Sequence, residues 1–166
     1  MEKTAIYPGS FDPITNGHID IIQRGARIFP KILIAVLENP KKQTLFSAPE
    51  RVEIIQDIFK DRPQIEVLSF NGLLVDFARA HQADVVIRGL RAVSDFEYEF
   101  QMALMNKKLG PTLETFFMMP SLRYIFLSSS VIKEVFSYGG NVSDLVPPVV
   151  DARLNEKFRA RERSSP

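Results

Sequence analysis

Short β-branched runs alternate with helix-patterned segments along almost the whole chain, and this alternation restricts the fold more than any other feature. Thr4–Pro8, Lys31–Leu37, Ile65–Phe70, Val85–Arg88 and Thr115–Met119 are brief and apolar, as strands buried on both faces must be. Between them lie segments of helical period. Gly17–Ile28 places Ile19, Ile22, Ala26 and Phe29 at helical spacing. Ser47-Ala-Pro-Glu50 has the Ser-x-x-Glu form of a capping box and predicts a helix ending near Lys60. Further helices are predicted at Leu73–Gln82, Ser94–Leu109, Ser128–Tyr138 (closed by Gly139-Gly140) and Pro148–Arg161. Strand–helix alternation with right-handed crossovers makes an α/β fold: a Rossmann-like, doubly wound parallel sheet of five strands with helices on both faces. One domain over residues 1–166 is expected, with 162–166 as a frayed tail.

In such a sheet, ligands sit outside the carboxyl ends of the strands where the strand order reverses. If that point lies between the first and fourth strands, it faces the two chemically most unusual segments of the chain. The first is Tyr7-Pro-Gly-Ser-Phe-Asp-Pro-Ile-Thr-Asn-Gly-His18. It is neither a dinucleotide fingerprint nor a Walker A loop. Gly9 and Gly17 let a ligand approach the backbone, the helix start offers free N–H groups, and Ser10 and His18 add donors. A phosphate site and a plain Pro/Gly turn with a solvated His both fit these residues. The second segment is Val86-Ile-Arg-Gly-Leu-Arg-Ala-Val-Ser-Asp-Phe-Glu-Tyr-Glu-Phe100. Arg88 and Arg91 flank Gly89 and could clamp phosphate. A surface loop with Arg91 paired to Asp95 fits equally.

Composition removes several classes of function. The chain has no cysteine, so disulfides, thiolate metal sites and Cys nucleophiles are out. His18 and His81 are its two histidines, too few for a His-rich metal cage, and no protein-held metal site is expected. A net charge of +1 speaks against a nucleic-acid binder. No apolar run nears the ~20 residues of a membrane span, and no signal peptide is visible, so a cytoplasmic protein without membrane partners is expected.

The motifs also carry a resemblance. Thr15-Asn-Gly-His18 resembles the (H/T)xGH signature of the nucleotidyltransferase superfamily, and Leu127-Ser-Ser-Ser130 its second, ISSS-like signature. Thr15 in place of His, together with the Arg88–Glu99 run, resembles the bacterial phosphopantetheine adenylyltransferases over nearly the whole chain. The resemblance implies transfer of AMP from ATP to 4′-phosphopantetheine, giving dephospho-coenzyme A and pyrophosphate in coenzyme A biosynthesis. It implies that His18, Lys42 and Arg91 are catalytic. It places ATP against Ser10, Phe11, His18, Gly89, Leu90, Arg91 and Glu99. Tyr124, Ile125, Phe126 and Leu127 would lie near the adenine, and Ser128, Ser129 and Ser130 near the β- and γ-phosphates. It places the acceptor against Ser10, Lys42, Leu74 and Arg88. Tyr98 would order the pocket wall. Mg²⁺ would arrive with ATP, coenzyme A would act as a feedback ligand, and the assembly would be a homohexamer.

Taken as residues, Lys42 in Pro40-Lys-Lys42 reads equally as a solvated loop lysine, and the three serines as an N-cap. Asp12 reads as a turn residue or as a more distant support for a metal. Leu73 and Leu74 with Met102, Leu104, Met105 and Leu109 are expected chiefly in the core, a subset lining a groove. Phe70, Phe77 and Phe100 exceed what a small sheet needs inside and are candidates for subunit contacts. His81 is expected on the surface at a helix end. Two other functions remain open on this reading: a related transferase with another phosphorylated acceptor, and a non-catalytic nucleotide sensor.

Overall fold

A computed structural model describes residues 3–39, 43–91 and 93–164. Five parallel strands, β1 (Thr4–Gly9), β2 (Lys31–Leu37), β3 (Ile65–Phe70), β4 (Val85–Gly89) and β5 (Glu114–Met118), form one sheet in the order β3-β2-β1-β4-β5. The order reverses between β1 and β4, as the placement of the motifs requires. The helices are α1 (Asn16–Gly25), α2 (Ala48–Phe59), α3 (Leu74–Ala80), α4 (Val93–Leu109), α5 (Ser129–Ser137) and α6 (Pro148–Ser164). A 3₁₀ turn at Leu122–Tyr124 leads into α5.

The pleat of the central strands divides the core in two. Ala5, Tyr7, Ile32, Ile34, Val36, Val85 and Ile87 face one layer, packed with α1, α2, α5 and α6. Ile6, Leu33, Ala35 and Val86 face the other, packed with Val75 and Ala78 of α3. Both faces of β1, β2 and β4 are therefore dry, which explains their unbroken apolar runs.

Several expectations need correction. α1 ends at Gly25 rather than Ile28; Ala26–Phe29 continue as a turn in which Ile28 and Phe29 donate N–H bonds to the Gly25 carbonyl. α6 is assigned to Ser164 rather than Arg161, in keeping with the strong helix formers Ala160-Arg-Glu-Arg163. The Leu73–Leu109 apolar set is not chiefly core: Leu73, Met102, Leu104, Met105 and Leu109 are each 40% exposed or more. Apolar residues lie all around α4 rather than on one stripe, so the sheet can cover only part of them. Phe70, by contrast, is buried, and its ring packs 4.8 Å from that of half-buried Phe77; of the three phenylalanines only Phe100 is exposed. His81 does cap the end of α3, but its ring lies 4.4 Å from Phe77 and is partly covered.

Candidate active site

β1 and β4 deliver their following segments to the two sides of one crevice. A polar cavity of about 470 Å³ opens there, walled by Ser10, His18, Arg88, Arg91 and the Ser128–Ser130 turn. A second cavity of about 370 Å³ lies on the other side of the β1 end, with Leu37, Phe70, Leu73, Leu74, Met102 and Ala103 in its walls. Pro8, Gly9, Ser10, Arg88, Tyr98 and Glu99 belong to both. A charged chamber and an apolar chamber thus meet at one shared wall.

The floor is bare backbone. Any Cβ at Gly9 would stand 2.9 Å from the ring of Phe11, whose own backbone is left-handed at φ 49°. His18 is fixed by the helix it starts. Thr15 caps α1, its main-chain N–H donating to Nδ1 of His18 at 3.0 Å, and the Thr15 hydroxyl lies 3.0 Å from the same nitrogen. Nδ1 is therefore an acceptor and the proton sits on Nε2. Burial, with Arg91 and Arg88 adding repulsion, lowers the imidazole pKa to about 4. The ring is neutral at pH 7 and has one donor to offer a ligand. Beside it, burial pushes the Tyr7 phenol well above its usual range despite the two arginines, so it stays protonated.

Arg88 grips Glu99 with two bonds, Nε to Oε2 at 2.6 Å and Nη2 to Oε1 at 2.5 Å, and its Nη1 donates to the Pro8 carbonyl at 2.8 Å. Burial opposes the guanidinium charge; the Glu99 carboxylate outweighs it, with Tyr7 and Tyr98 adding to its effect, and holds the pKa above its usual value. Arg91 pairs with Asp95 at 3.0 Å and donates to the Leu127 carbonyl at 3.0 Å, tying the β4 segment to the serine turn. Ser128 caps α5, and the Ser129 hydroxyl donates to the Pro13 carbonyl at 2.7 Å. Two cations, a neutral imidazole donor and a serine-lined helix start thus face one space, a donor set suited to a polyphosphate.

Of the residues singled out from sequence, Ser10, Phe11, His18, Arg88, Gly89, Arg91, Glu99, Tyr98, Tyr124, Leu127 and Ser128–Ser130 line the polar cavity. Leu74 lines the apolar one. Leu90, Ile125 and Phe126 line neither: Leu90 donates its N–H to the Met118 carbonyl at the end of β5, and Phe126 is 61% exposed. Lys42 lies outside the described residues. Asp12 is not a solvated turn residue. It is 3% exposed, with its carboxylate taken by the N–H groups of Leu45 and Phe46 and by Lys133. Two residues that sequence reading missed, Arg51 and Lys133, hold the site's loops. Arg51 is buried and donates to the carbonyls of Ser10, Leu37 and Phe46.

The cytidylyltransferase-like family model matches residues 6–135, most of the chain and all of the crevice. Curated relatives named phosphopantetheine adenylyltransferase match nearly end to end. The one from Caldanaerobacter subterraneus subsp. tengcongensis is 57% identical over 95% of this chain and 98% of its own length. Those from Dictyoglomus thermophilum and Desulfosudis oleivorans are 55% and 54% identical, over 96% and 94% of this chain and 97% and 93% of their own lengths. The chain belongs to the phosphopantetheine adenylyltransferase family. It is thus a nucleotidyltransferase, and the resemblance read from its motifs holds over nearly its full length. A solved structure named as a nicotinate-nucleotide adenylyltransferase from Vibrio parahaemolyticus superposes with a TM-score of 0.67 at 19% identity, over 95% of this chain and 94% of that one. That likeness supports the Rossmann-like fold. Among the described residues no helix is long and apolar enough to cross a membrane.

Proposed function

We propose that the chain transfers the adenylyl group of ATP to 4′-phosphopantetheine, forming dephospho-coenzyme A and pyrophosphate. The observation that carries this reading is the shared wall between a polyphosphate-suited chamber and an apolar one. An acceptor with an anionic head and a long, weakly polar arm needs that pairing. ATP lies in the polar chamber, its pyrophosphate end at the Ser128–Ser130 turn. The pantetheine arm runs along Leu74 and Met102, and its phosphate meets the α-phosphate near Ser10 and Arg88.

An oxygen of the acceptor phosphate attacks the α-phosphorus. The new P–O bond forms as the bond to pyrophosphate breaks, and pyrophosphate carries off the electron pair. The nucleophile is already an anion, so no general base is required. The chain's task is alignment and relief of charge repulsion, served by the His18 Nε2–H and the two arginines. Lys42 serves the same end. Mg²⁺ enters as part of the ATP substrate, held by phosphate oxygens and water. Coenzyme A shares the pantetheine arm and would compete for the same groove. The reaction takes place in the cytoplasm.

Pantetheine without its phosphate should give no adenylylated product, because it lacks the nucleophile. Mass detection of products from ATP, Mg²⁺ and each acceptor tests this. Adenylylated pantetheine formed at a comparable rate would reject the reading, as would transfer to nicotinate mononucleotide in preference to phosphopantetheine.

The assembly is a homohexamer on the same reading. The exposed apolar residues of α4, β5 and α5, among them Met105, Phe116 and Val135, supply the surface for it. Light scattering should give the mass of six chains, and a stable monomer at working concentration would reject it.

A further inference from the structure

We propose that Asp12 and Lys133 are positioning residues that lock the pyrophosphate side of the site to the acceptor side, an inference that rests on the adenylyl-transfer reading above. The segment Ser10–Pro13 is the joint. Its Pro13 carbonyl accepts from Ser129 at the start of α5, at 2.7 Å. Its Asp12 carboxylate accepts from Lys133 at 2.8 Å, and Lys133 lies one turn beyond Ser129 on the same face of α5. Two bonds therefore fix the helix that carries the serine turn. The same carboxylate accepts from the N–H groups of Leu45 at 2.9 Å and Phe46 at 2.8 Å, and the Ser10 carbonyl accepts from Arg51 at 2.5 Å. Those bonds hold the segment entering α2, which Arg51 ties, through the carbonyls of Phe46 and Leu37, to a wall of the apolar chamber on the acceptor side.

Asp12 thus bonds both to α5 and to the segment entering α2, and it is buried at 3% exposure while lining neither cavity. Lys133 lines neither cavity and does not face the ligands; its charge is spent on Asp12. Such a pair does nothing for the affinity of either substrate. It sets the angle between them, and misalignment of reacting groups lowers turnover rather than binding.

Lys133 is the residue to change, because its side chain is one-third exposed and its removal opens no cavity in the core. Steady-state kinetics with MgATP and 4′-phosphopantetheine, and melting temperatures, are measured for wild type, Lys133→Met and Lys133→Arg. Lys133→Met should lower kcat about tenfold while both KM values stay within about threefold. Lys133→Arg, which can still reach Asp12, should recover kcat to within about threefold of wild type. The proposal is overturned if Lys133→Met keeps kcat within about twofold, whatever happens to its melting temperature. It is also overturned if KM for ATP rises with kcat unchanged, which would make Lys133 a direct phosphate ligand, or if Arg is no better than Met. If Lys133→Met does not fold, Lys133→Gln is judged by the same criteria. An inactive wild type would instead reject the adenylyl-transfer reading itself.

Discussion

Replacing His18 with Ala should lower turnover by roughly 10²–10³-fold while the protein still folds. His18 sits at the start of α1, so truncation leaves no core cavity. It does remove half of the capping box, at a cost of about 1 kcal/mol. What is lost in catalysis is an Nε2–H donor held in one tautomer by Thr15. The same variant has a signature in stability. The folded pKa of about 4 lies below the unfolded value of 6.5, so the unfolded chain takes up a proton that the folded one resists. The neutral ring's contribution is fully present above pH 6.5 and declines as pH falls toward 4. Between pH 6.5 and pH 5 this amounts to roughly 2 kcal/mol. Urea midpoints across that window should fall more steeply for wild type than for His18→Ala. Activity within a few-fold of wild type would remove His18 from the mechanism, and equal slopes would show that the ring titrates normally.

The second large effect concerns Arg88 and Glu99. Removing Arg88 alone does more than delete a phosphate contact. It leaves the Glu99 carboxylate, its side chain 12% exposed, unpaired in the wall shared by the two chambers. Breaking a buried pair in this way typically costs ~3–5 kcal/mol. Arg88→Ala should therefore weaken acceptor binding by about 10²-fold or more. Arg88→Ala/Glu99→Ala should bind it at least about tenfold better than the single variant, because the stranded charge is gone. Calorimetric titration of 4′-phosphopantetheine into each variant decides this. A double variant no better than Arg88→Ala would mean that Glu99 does not face the acceptor.

The central strands were legible because burial on both faces demands continuous apolar runs, and β1, β2 and β4 have them. The lining of the polar crevice was legible for a similar reason: Ser10, His18, Arg88 and the serine turn follow strand ends or open helices, where local sequence determines local geometry. α4 was misread because apolar content says nothing about direction; Met102 and Leu104 look like core in sequence and stand in the open. Arg51 and Lys133 were invisible for a different reason. Arg51 bonds to main-chain carbonyls, which every residue has, and Lys133 bonds to an aspartate 121 positions away. Asp12 was noticed, but its use was not, since a turn Asp and a fold-locking Asp carry the same neighbours.

The floor shared by the two chambers is Gly9, pressed by the ring of Phe11. A Cβ added at Gly9 would stand 2.9 Å from that ring, so this part of the floor accepts a larger residue only if the Phe11 ring shifts. Chemical variation in this enzyme is confined to the walls, to positions such as Leu74, Tyr98 and Met102. An inhibitor anchored on the Pro8–Ser10 backbone would meet a surface that drift and drug selection cannot easily alter. One that drew its grip from the apolar wall would give resistance several single-residue routes.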